Sequence, residues 1–231
     1  MIRYLIWDAD GTLFNTYPAI TDAMHQALEA LGGQAPRERV ARLCKVSFGH
    51  CIRTLSKEQD LDPDAYRAKF NAIYTTLPLM AQPPFPGARA LCAYICKIDG
   101  ASFILTHRGR ESLEKLLHLH ELEMLITDTI TADDDFPRKP DPAGLNALIA
   151  RHHIPREATL LIGDRELDIL AAHAADVRSC FFGDNPHDEP ATFEVTDYTT
   201  LLRIIQEENR PSLPQRGATS LGKPGNLQGC Q

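Results

Sequence analysis

Residues 4–14 read Tyr-Leu-Ile-Trp-Asp-Ala-Asp-Gly-Thr-Leu-Phe, a short apolar run followed by two aspartates and a glycine. The apolar residues 4–7 are long enough for a buried strand of a parallel sheet. Asp8 and Asp10 lie two positions apart, so an extended segment would point both carboxylates to the same side. Gly11 allows a sharp turn directly after them. The stretch therefore predicts a strand whose carboxyl end carries two acidic side chains.

Further apolar runs of strand length follow along the chain and alternate with stretches of helical spacing. The runs cover residues 102–105, 124–126, 159–162 and 179–182. The helical patterns cover residues 88–97, 111–120, 142–153 and 167–175. This alternation is typical of a parallel sheet covered by helices. We therefore expect an α/β fold with a Rossmann-like parallel sheet core.

Residues 15–84 interrupt the alternation because they contain no convincing strand. Helical patterns cover residues 18–31, 36–44, 50–55 and 63–77, and prolines begin three of them. A proline-rich stretch at 82–87 marks the return to the α/β pattern. We predict a small all-helical cap, residues 15–84, inserted into a core of residues 1–14 and 85–208. The polar, Pro- and Gly-containing residues 209–231 are predicted to form a disordered tail.

Composition and charge limit the classes of function. With 43% hydrophobic and 24% charged residues, the chain fits a soluble globular protein and neither a fibrous nor a disordered one. The formal net charge of −7 disfavours nucleic acid as the main partner, because phosphate backbones bind clustered Lys and Arg. No apolar run approaches the roughly 20 residues of a membrane span. The six scattered cysteines predict free thiols and a cytoplasmic location, and we expect a monomer or homodimer.

Chemically active side chains follow several of the predicted strands. Thr106 follows the run 102–105, Lys139 precedes a helix after the third run, and Asp164 and Asp168 follow the fourth. Alone, each has an ordinary explanation as a cap, a turn residue or a solvated charge. Together they lie at the carboxyl ends of parallel strands, where ligands bind. Crowded carboxylates repel one another unless a cation is bound, and Mg²⁺ prefers oxygen ligands.

The same residues carry a family resemblance. Residues 8–14 (Asp-Ala-Asp-Gly-Thr-Leu-Phe), Thr106, Lys139-Pro140, and Gly163-Asp164 with Asp168 resemble, in order and spacing, the four motifs of the haloacid dehalogenase (HAD) superfamily. The resemblance covers residues 1–208, and the helical cap resembles that of the phosphoglycolate phosphatase-like branch. It implies a magnesium-dependent phosphatase that hydrolyses a small phosphomonoester, a phosphorylated metabolite, through an aspartyl-phosphate intermediate.

The resemblance also implies roles for the matching residues. Asp8 would be the nucleophile, and Asp10 the general acid for the leaving oxygen and then the general base for water. Thr106 and the backbone amides near Gly11 would hold the phosphoryl oxygens. Lys139 would offset their charge and position Asp8.

The implied metal site uses the two strand ends that carry aspartates. Mg²⁺ would be held by the side chains of Asp8 and Asp164 and by the backbone carbonyl of Asp10. Asp168 would orient Lys139 or a metal-bound water.

Two parts of the sequence depart from the family pattern or are specific to this chain. His107 stands where relatives often carry Asn, and both it and Arg108 could face the entering phosphate. In the helical cap, one or two residues of the stretch between two helical patterns are expected to contact substrate: Lys45, Ser47, Phe48, Gly49, His50 and Arg53.

Alternative functions stay open at this stage. A sugar-phosphate mutase would use the same core and return the phosphoryl group to a sugar. A non-catalytic phosphate-binding module would keep the fold without turnover. A dehalogenase is disfavoured because Asp10 would have no role in it, and a receiver domain because it lacks the sequence at 8–12 and the helical cap.

Overall fold

The structure, a computed structural model, describes residues 1–184 and 186–210. Within these ranges, one parallel sheet contains the strands β1 to β6, in chain order Tyr4–Trp7, Ala101–Leu105, Asp128–Ile130, Thr159–Gly163, Arg178–Phe182 and Phe193–Val195. Their spatial order is β3-β2-β1-β4-β5-β6. The chain adds strands first on one side of β1 and then on the other. The crevice beyond the ends of β1 and β4 is therefore the topological switch point, where ligands bind in such sheets.

Helices cover both faces of this sheet. In chain order, α1 to α9 are Tyr17–Ala30, Arg37–Val46, Phe48–Gln59, Pro63–Tyr74, Ala88–Lys97, Arg110–Leu119, Ala143–His152, Glu166–Ala174 and Tyr198–Glu208. Alternate residues of β1 pack on opposite faces of the sheet. Leu5 and Trp7 belong to the apolar cluster that includes residues of α5, α6 and α9, and Ile6 belongs to the cluster that includes residues of α7 and α8. The predicted α/β, Rossmann-like fold is confirmed.

The helices α1–α4 pack around a cluster of their own buried side chains, which includes Met24, Leu55 and Tyr66. The segments that enter and leave them run side by side: the N–H of Asn15 donates to the carbonyl of Pro83 (2.8 Å), and that of Phe85 to the carbonyl of Leu13 (3.0 Å). We retain "helical cap" for residues 15–84. Of the predicted tail, residues 211–231 lie outside the described residues.

The predicted third strand was wrong in position. Residues 123–125 form a 3₁₀ turn with Met124 exposed, and the strand β3 begins four residues after the start of the predicted run. Asp128 and Thr129 make this a polar edge strand, and the Asp128 carboxylate accepts from Arg151 (2.7 Å) and is paired with His152 (2.8 Å). An apolar run indicates a buried strand, so it does not find an edge strand with polar side chains.

Two smaller findings concern membrane spans and cysteines in the described residues. Among the described residues, no helix is long and apolar enough to cross a membrane. The five cysteines of that part of the chain are free thiols, as predicted: Cys44, Cys51, Cys92, Cys96 and Cys180.

Candidate active site

The loop after β1 is fixed by bonds from several elements. The N–H of Gly11 donates to the carbonyl of Phe14 (2.9 Å), which closes a tight turn with Gly11 at φ +81°. The Tyr198 hydroxyl of α9 donates to the carbonyl of Thr12 (2.7 Å), and the Thr12 hydroxyl donates to Oδ1 of Asp164 (3.2 Å). The acidic ends of β1 and β4 are thereby held together. The Gly11 amide, predicted to bind phosphate, is engaged within the turn.

Two neighbouring side chains also pack closely against Gly11, where any other residue would carry a Cβ. A Cβ there would lie 2.2 Å from Cε2 of Tyr17 and 2.6 Å from Oδ2 of Asp164. We expect Gly11→Ala to lower the free energy of unfolding by about 2–4 kcal/mol, from the left-handed backbone and the overpacking together.

A matched control exists in Gly32, which has φ +83° and nothing within 4 Å of its Cβ position. Gly32→Ala isolates the backbone effect and should cost about 1 kcal/mol. Denaturant unfolding of both variants checks the difference, and equal losses would contradict the close approach at Gly11.

Lys139 joins two aspartates in the interior of the protein. Its ammonium donates to Oδ1 of Asp8 (2.7 Å) and to the carbonyl of Leu105 (3.0 Å), and lies 2.6 Å from Oδ1 of Asp168. The side chains of Lys139 and Asp8 are each 1% exposed. Asp168 also accepts from the N–H of Arg165 (3.2 Å) at the start of α8. The side chains predicted as nucleophile, lysine and supporting carboxylate thus form one buried cluster.

Burial dominates the electrostatics of this cluster. Desolvation raises the pKa of Asp8, although the charge of Lys139 opposes the rise. Burial acts to lower the pKa of Lys139, but Asp168 and Asp8 outweigh it, and the pKa lies above its ordinary value. Oδ2 of Asp8 is buried and has no hydrogen-bond partner among the described residues. An orphaned carboxylate oxygen is costly unless a further ligand binds it.

Asp164 adds another buried carboxylate close to that of Asp8. Ligand oxygens of Asp8, Asp164 and Asp168 lie within 4.8 Å of one another. Burial, followed by the charges of Asp8 and Asp168, raises the pKa of Asp164 to about 7, although Arg165 and Tyr17 oppose the rise. Both oxygens of Asp168 are engaged, Oδ1 by Lys139 and Oδ2 by the N–H of Arg165, so Asp8 and Asp164 are the side chains with acceptor capacity left for a cation. Such an oxygen donor set suits Mg²⁺.

Thr106 and His107 follow β2 and line the same cavity as Asp8 and Asp10. The Thr106 hydroxyl accepts from the N–H of Arg108 (3.1 Å). Nε2 of His107 accepts from the N–H of Lys139 (3.0 Å), so this ring positions the lysine loop. Burial and the positive charge of Lys139 lower the pKa of His107 to about 3. The imidazole is therefore neutral at physiological pH, and its proton is on Nδ1.

Arg108 has a different place from the one its sequence position suggests. Its guanidinium is buried against the carboxylate of Asp10, with Nη2 2.8 Å from Oδ1, rather than lining the cavity. Asp10 itself is 17% exposed and lines the cavity. The sequence pattern could not indicate this pair, because the two residues are 98 positions apart.

The cavity above Asp8 has a volume of about 440 Å³ and a cationic wall. Four arginines line it: Arg53 and Arg67 from the helical cap, and Arg138 and Arg165 from the core. Among the described residues, no carboxylate forms an ion pair with Arg53, Arg67 or Arg138. The contribution of Arg67 was missed, since one Arg in an amphipathic helix carries no distinguishing signal.

The stretch at 45–53, expected to supply substrate contacts, is divided between two places. Ser47, Phe48, Gly49 and Arg53 line the cavity above Asp8, whereas Lys45 lines a separate cavity beside Gly11. His50 lines neither cavity, and its N–H donates to the hydroxyl of Ser47 (3.0 Å), which caps the helix α3.

Comparison with known proteins identifies the family of this chain. The family model "Haloacid dehalogenase-like hydrolase" matches residues 5–189. The chain belongs to this family. The resemblance read from the four motifs is confirmed, as is the prediction of a HAD-like hydrolase.

The relatives of this haloacid dehalogenase-like hydrolase include phosphatases. A phosphoglycolate phosphatase of Photobacterium profundum is 30% identical over 184 residues, 75% of this chain and 80% of that one. The phosphoglycolate phosphatase of Vibrio cholerae serotype O1 is 28% identical over 223 residues, 88% of this chain and 97% of that one. A crystal structure from Haemophilus somnus 129pt, described as a predicted phosphoglycolate phosphatase, has the same fold with a TM-score of 0.76. It is 17% identical and covers 89% of this chain and 98% of that one.

Proposed function

We propose that this hydrolase is a Mg²⁺-dependent phosphatase that hydrolyses a small phosphomonoester through an aspartyl-phosphate on Asp8. The observation that carries the proposal is the Asp8 carboxylate itself. Lys139 holds one of its oxygens at 2.7 Å, and the other is buried with no hydrogen-bond partner in the part of the chain that the structure describes. Asp10 and Thr106 line the cavity beside it. A carboxylate fixed in this way beside a second carboxylate is suited to phosphoryl transfer.

The residues fit a magnesium ion. Asp8 through Oδ2, Asp164, and the backbone carbonyl of Asp10 would hold it, and Asp168 would keep Lys139 in place. When bound, Mg²⁺ supplies positive charge that offsets the charge of the phosphoryl oxygens.

The chain's own residues account for the two chemical steps. In the first, a carboxylate oxygen of Asp8 forms a bond to phosphorus, the ester P–O bond breaks, and Asp10 gives its proton to the leaving alcohol oxygen. In the second, Asp10 takes a proton from water as the water oxygen bonds to phosphorus, and the acyl phosphate bond breaks to restore Asp8. Lys139 holds the Asp8 carboxylate in line throughout.

Two further side chains would hold the phosphoryl oxygens. The Thr106 hydroxyl lines the cavity and is oriented by the Arg108 amide (3.1 Å), and the neutral ring of His107 offers a proton on Nδ1. The Gly11 amide bonds to Phe14 and is not one of these groups, and the missing side chain of Gly11 lets Tyr17 and Asp164 approach the turn.

The cavity wall favours a substrate with a second anionic group. Arg53 and Arg67 of the helical cap line the wall, and within residues 1–184 and 186–210 neither forms an ion pair with a carboxylate. Cations of this kind attract anions into a confined site. Phosphoglycolate, which the curated relatives' name specifies, carries a carboxylate beside its phosphate. We therefore propose a small phosphorylated acid of this kind as substrate, in a cytoplasmic protein that acts as a monomer or homodimer.

Phosphate release by the purified protein tests the proposal. We expect turnover of phosphoglycolate with Mg²⁺, its loss in excess EDTA and its return when Mg²⁺ is added back. Arg53→Met and Arg67→Met should raise KM for phosphoglycolate more than for ethyl phosphate, which lacks the second charge.

Two results of the same assay would contradict the proposal. Turnover undiminished by EDTA would contradict the metal site. Phosphoryl transfer that requires a sugar bisphosphate and releases no phosphate would identify the mutase alternative.

A further inference from the structure

Arg108 holds the carboxylate of Asp10 with two of its nitrogens. Arg108 lies between β2 and α6, and its side chain is 5% exposed. Nε donates to Oδ1 of Asp10 at 3.1 Å, and Nη2 donates to the same oxygen at 2.8 Å. Such charge-assisted bonds from a planar guanidinium fix both the position and the orientation of a carboxylate.

The same guanidinium reaches the end of the helical cap. Nη2 also lies 2.7 Å from the Tyr74 hydroxyl and 2.7 Å from Oε1 of Gln82, so its two hydrogens are shared among these acceptors and Asp10. Nη1 donates to the Ser112 hydroxyl of α6 (2.6 Å). Tyr74 is the last residue of α4, and its hydroxyl donates to Oε1 of Gln82 (2.8 Å). Gln82 is buried in the segment that returns the chain from the helical cap to the core. One side chain thus connects Asp10 with the exit of the helical cap.

Stability alone does not account for a guanidinium in this position. Taking an arginine and a carboxylate out of water is costly, and well-packed apolar side chains in place of a buried ion pair are often neutral or stabilising. The Asp10 carboxylate faces the cavity beside Asp8, so its orientation has a consequence for the reaction.

We propose that Arg108 is a positioning residue that holds Asp10 in line for proton transfer and links that position to the exit of the helical cap through Tyr74 and Gln82. The inference rests on the proposed function, in which Asp10 protonates the leaving oxygen. It assigns to Tyr74 and Gln82, which touch neither Asp8 nor the cavity, an effect on proton transfer.

The leaving group of the substrate separates this role from a merely structural one. An alkyl ester needs a proton on its leaving oxygen, whereas p-nitrophenolate leaves without one. The ratio kcat/KM reports the steps up to loss of the leaving group. Displacement of Asp10 should therefore lower kcat/KM for an alkyl phosphate and leave that for p-nitrophenyl phosphate close to the unmodified protein's value.

We expect Arg108→Met to lower kcat/KM for ethyl phosphate about 100-fold, within the range of a lost general acid, with little change for p-nitrophenyl phosphate. Arg108→Lys keeps the positive charge but lacks the planar guanidinium, so kcat/KM for ethyl phosphate should fall selectively but by a smaller factor. Tyr74→Phe removes one bond to the guanidinium and should lower the ethyl phosphate value about tenfold. The last two variants keep the test decisive if Arg108→Met fails to fold.

Two reference variants complete the experiment. Asp10→Asn should show the full loss of kcat/KM for ethyl phosphate, with little change in kcat/KM for p-nitrophenyl phosphate. Arg110→Met removes a neighbouring arginine that pairs with Asp134 (2.6 Å), outside the site, and should change neither value.

The outcomes separate the two levels of the proposal. Equal losses for both substrates in the Arg108 and Tyr74 variants, beside a selective loss in Asp10→Asn, would overturn the role of Arg108 alone. Equal losses in Asp10→Asn itself would overturn the general acid and with it the proposed function.

Discussion

Asp8→Asn is expected to abolish turnover, with kcat lower by about 10⁴-fold or more. The amide has the size and shape of the carboxylate but is a poor nucleophile, so no phosphoryl group can be transferred to it. Phosphate release with phosphoglycolate and Mg²⁺ measures the loss. Asp188→Asn, the same change at an exposed aspartate away from the cavity, should leave turnover unchanged.

The folded state should survive this change, which separates lost chemistry from lost structure. Because burial raises the pKa of Asp8, the ionised carboxylate costs folding free energy at pH values above that pKa. The neutral amide removes this cost. We expect the free energy of unfolding of Asp8→Asn at neutral pH in EDTA to equal or exceed that of the unmodified protein. Residual turnover near the unmodified rate would contradict the assignment of Asp8.

Lys139→Met is expected to have the next largest effect, on both activity and stability. Removal of the ammonium leaves Asp8 and Asp168 buried without their cation, which should lower the free energy of unfolding by about 3–5 kcal/mol. Loss of one donor that offsets developing charge typically lowers kcat by about 10²–10³. Denaturant unfolding and phosphate release measure the two effects.

A double variant tests whether the two effects of Lys139 are separate. Adding Asp168→Asn to Lys139→Met removes one of the two uncompensated charges, so stability should partly return while kcat stays low. A double variant that recovered activity with stability would contradict the role of Lys139 in the reaction and indicate a structural role only.

The buried strands were predictable because their apolar residues alternate between two covered faces. Leu5 and Trp7 pack on one side of the sheet and Ile6 on the other, so β1 reads as a continuous apolar run. The edge strand β3 has no such signal. The helix α9 was not predicted, although Asp197 accepts from the N–H of Thr200 at its start and Leu201 and Ile205 have helical spacing. That signal could have been found.

The site contains residues that short sequence motifs identify and contacts between residues far apart in the sequence, which no motif indicates. Asp8 and Asp164 could be named because each lies within a short motif directly after a strand, and Lys139 because it lies in a short motif that precedes a helix. The partners of Arg108 and the cavity position of Arg67 could not, because they depend on how the helical cap packs against the core. Short motifs report local geometry, whereas these contacts are long-range.

The central claim is that Asp8 carries the phosphoryl group between the two steps, and rapid quench followed by peptide mass spectrometry tests it most directly. Asp10→Asn with p-nitrophenyl phosphate and Mg²⁺ should accumulate the covalent species, because the leaving group needs no acid while hydrolysis lacks its base. The account predicts one phosphoryl group on Asp8, absent from Asp8→Asn. Release of p-nitrophenolate and phosphate with no phosphorylated Asp8 peptide at any time would contradict it.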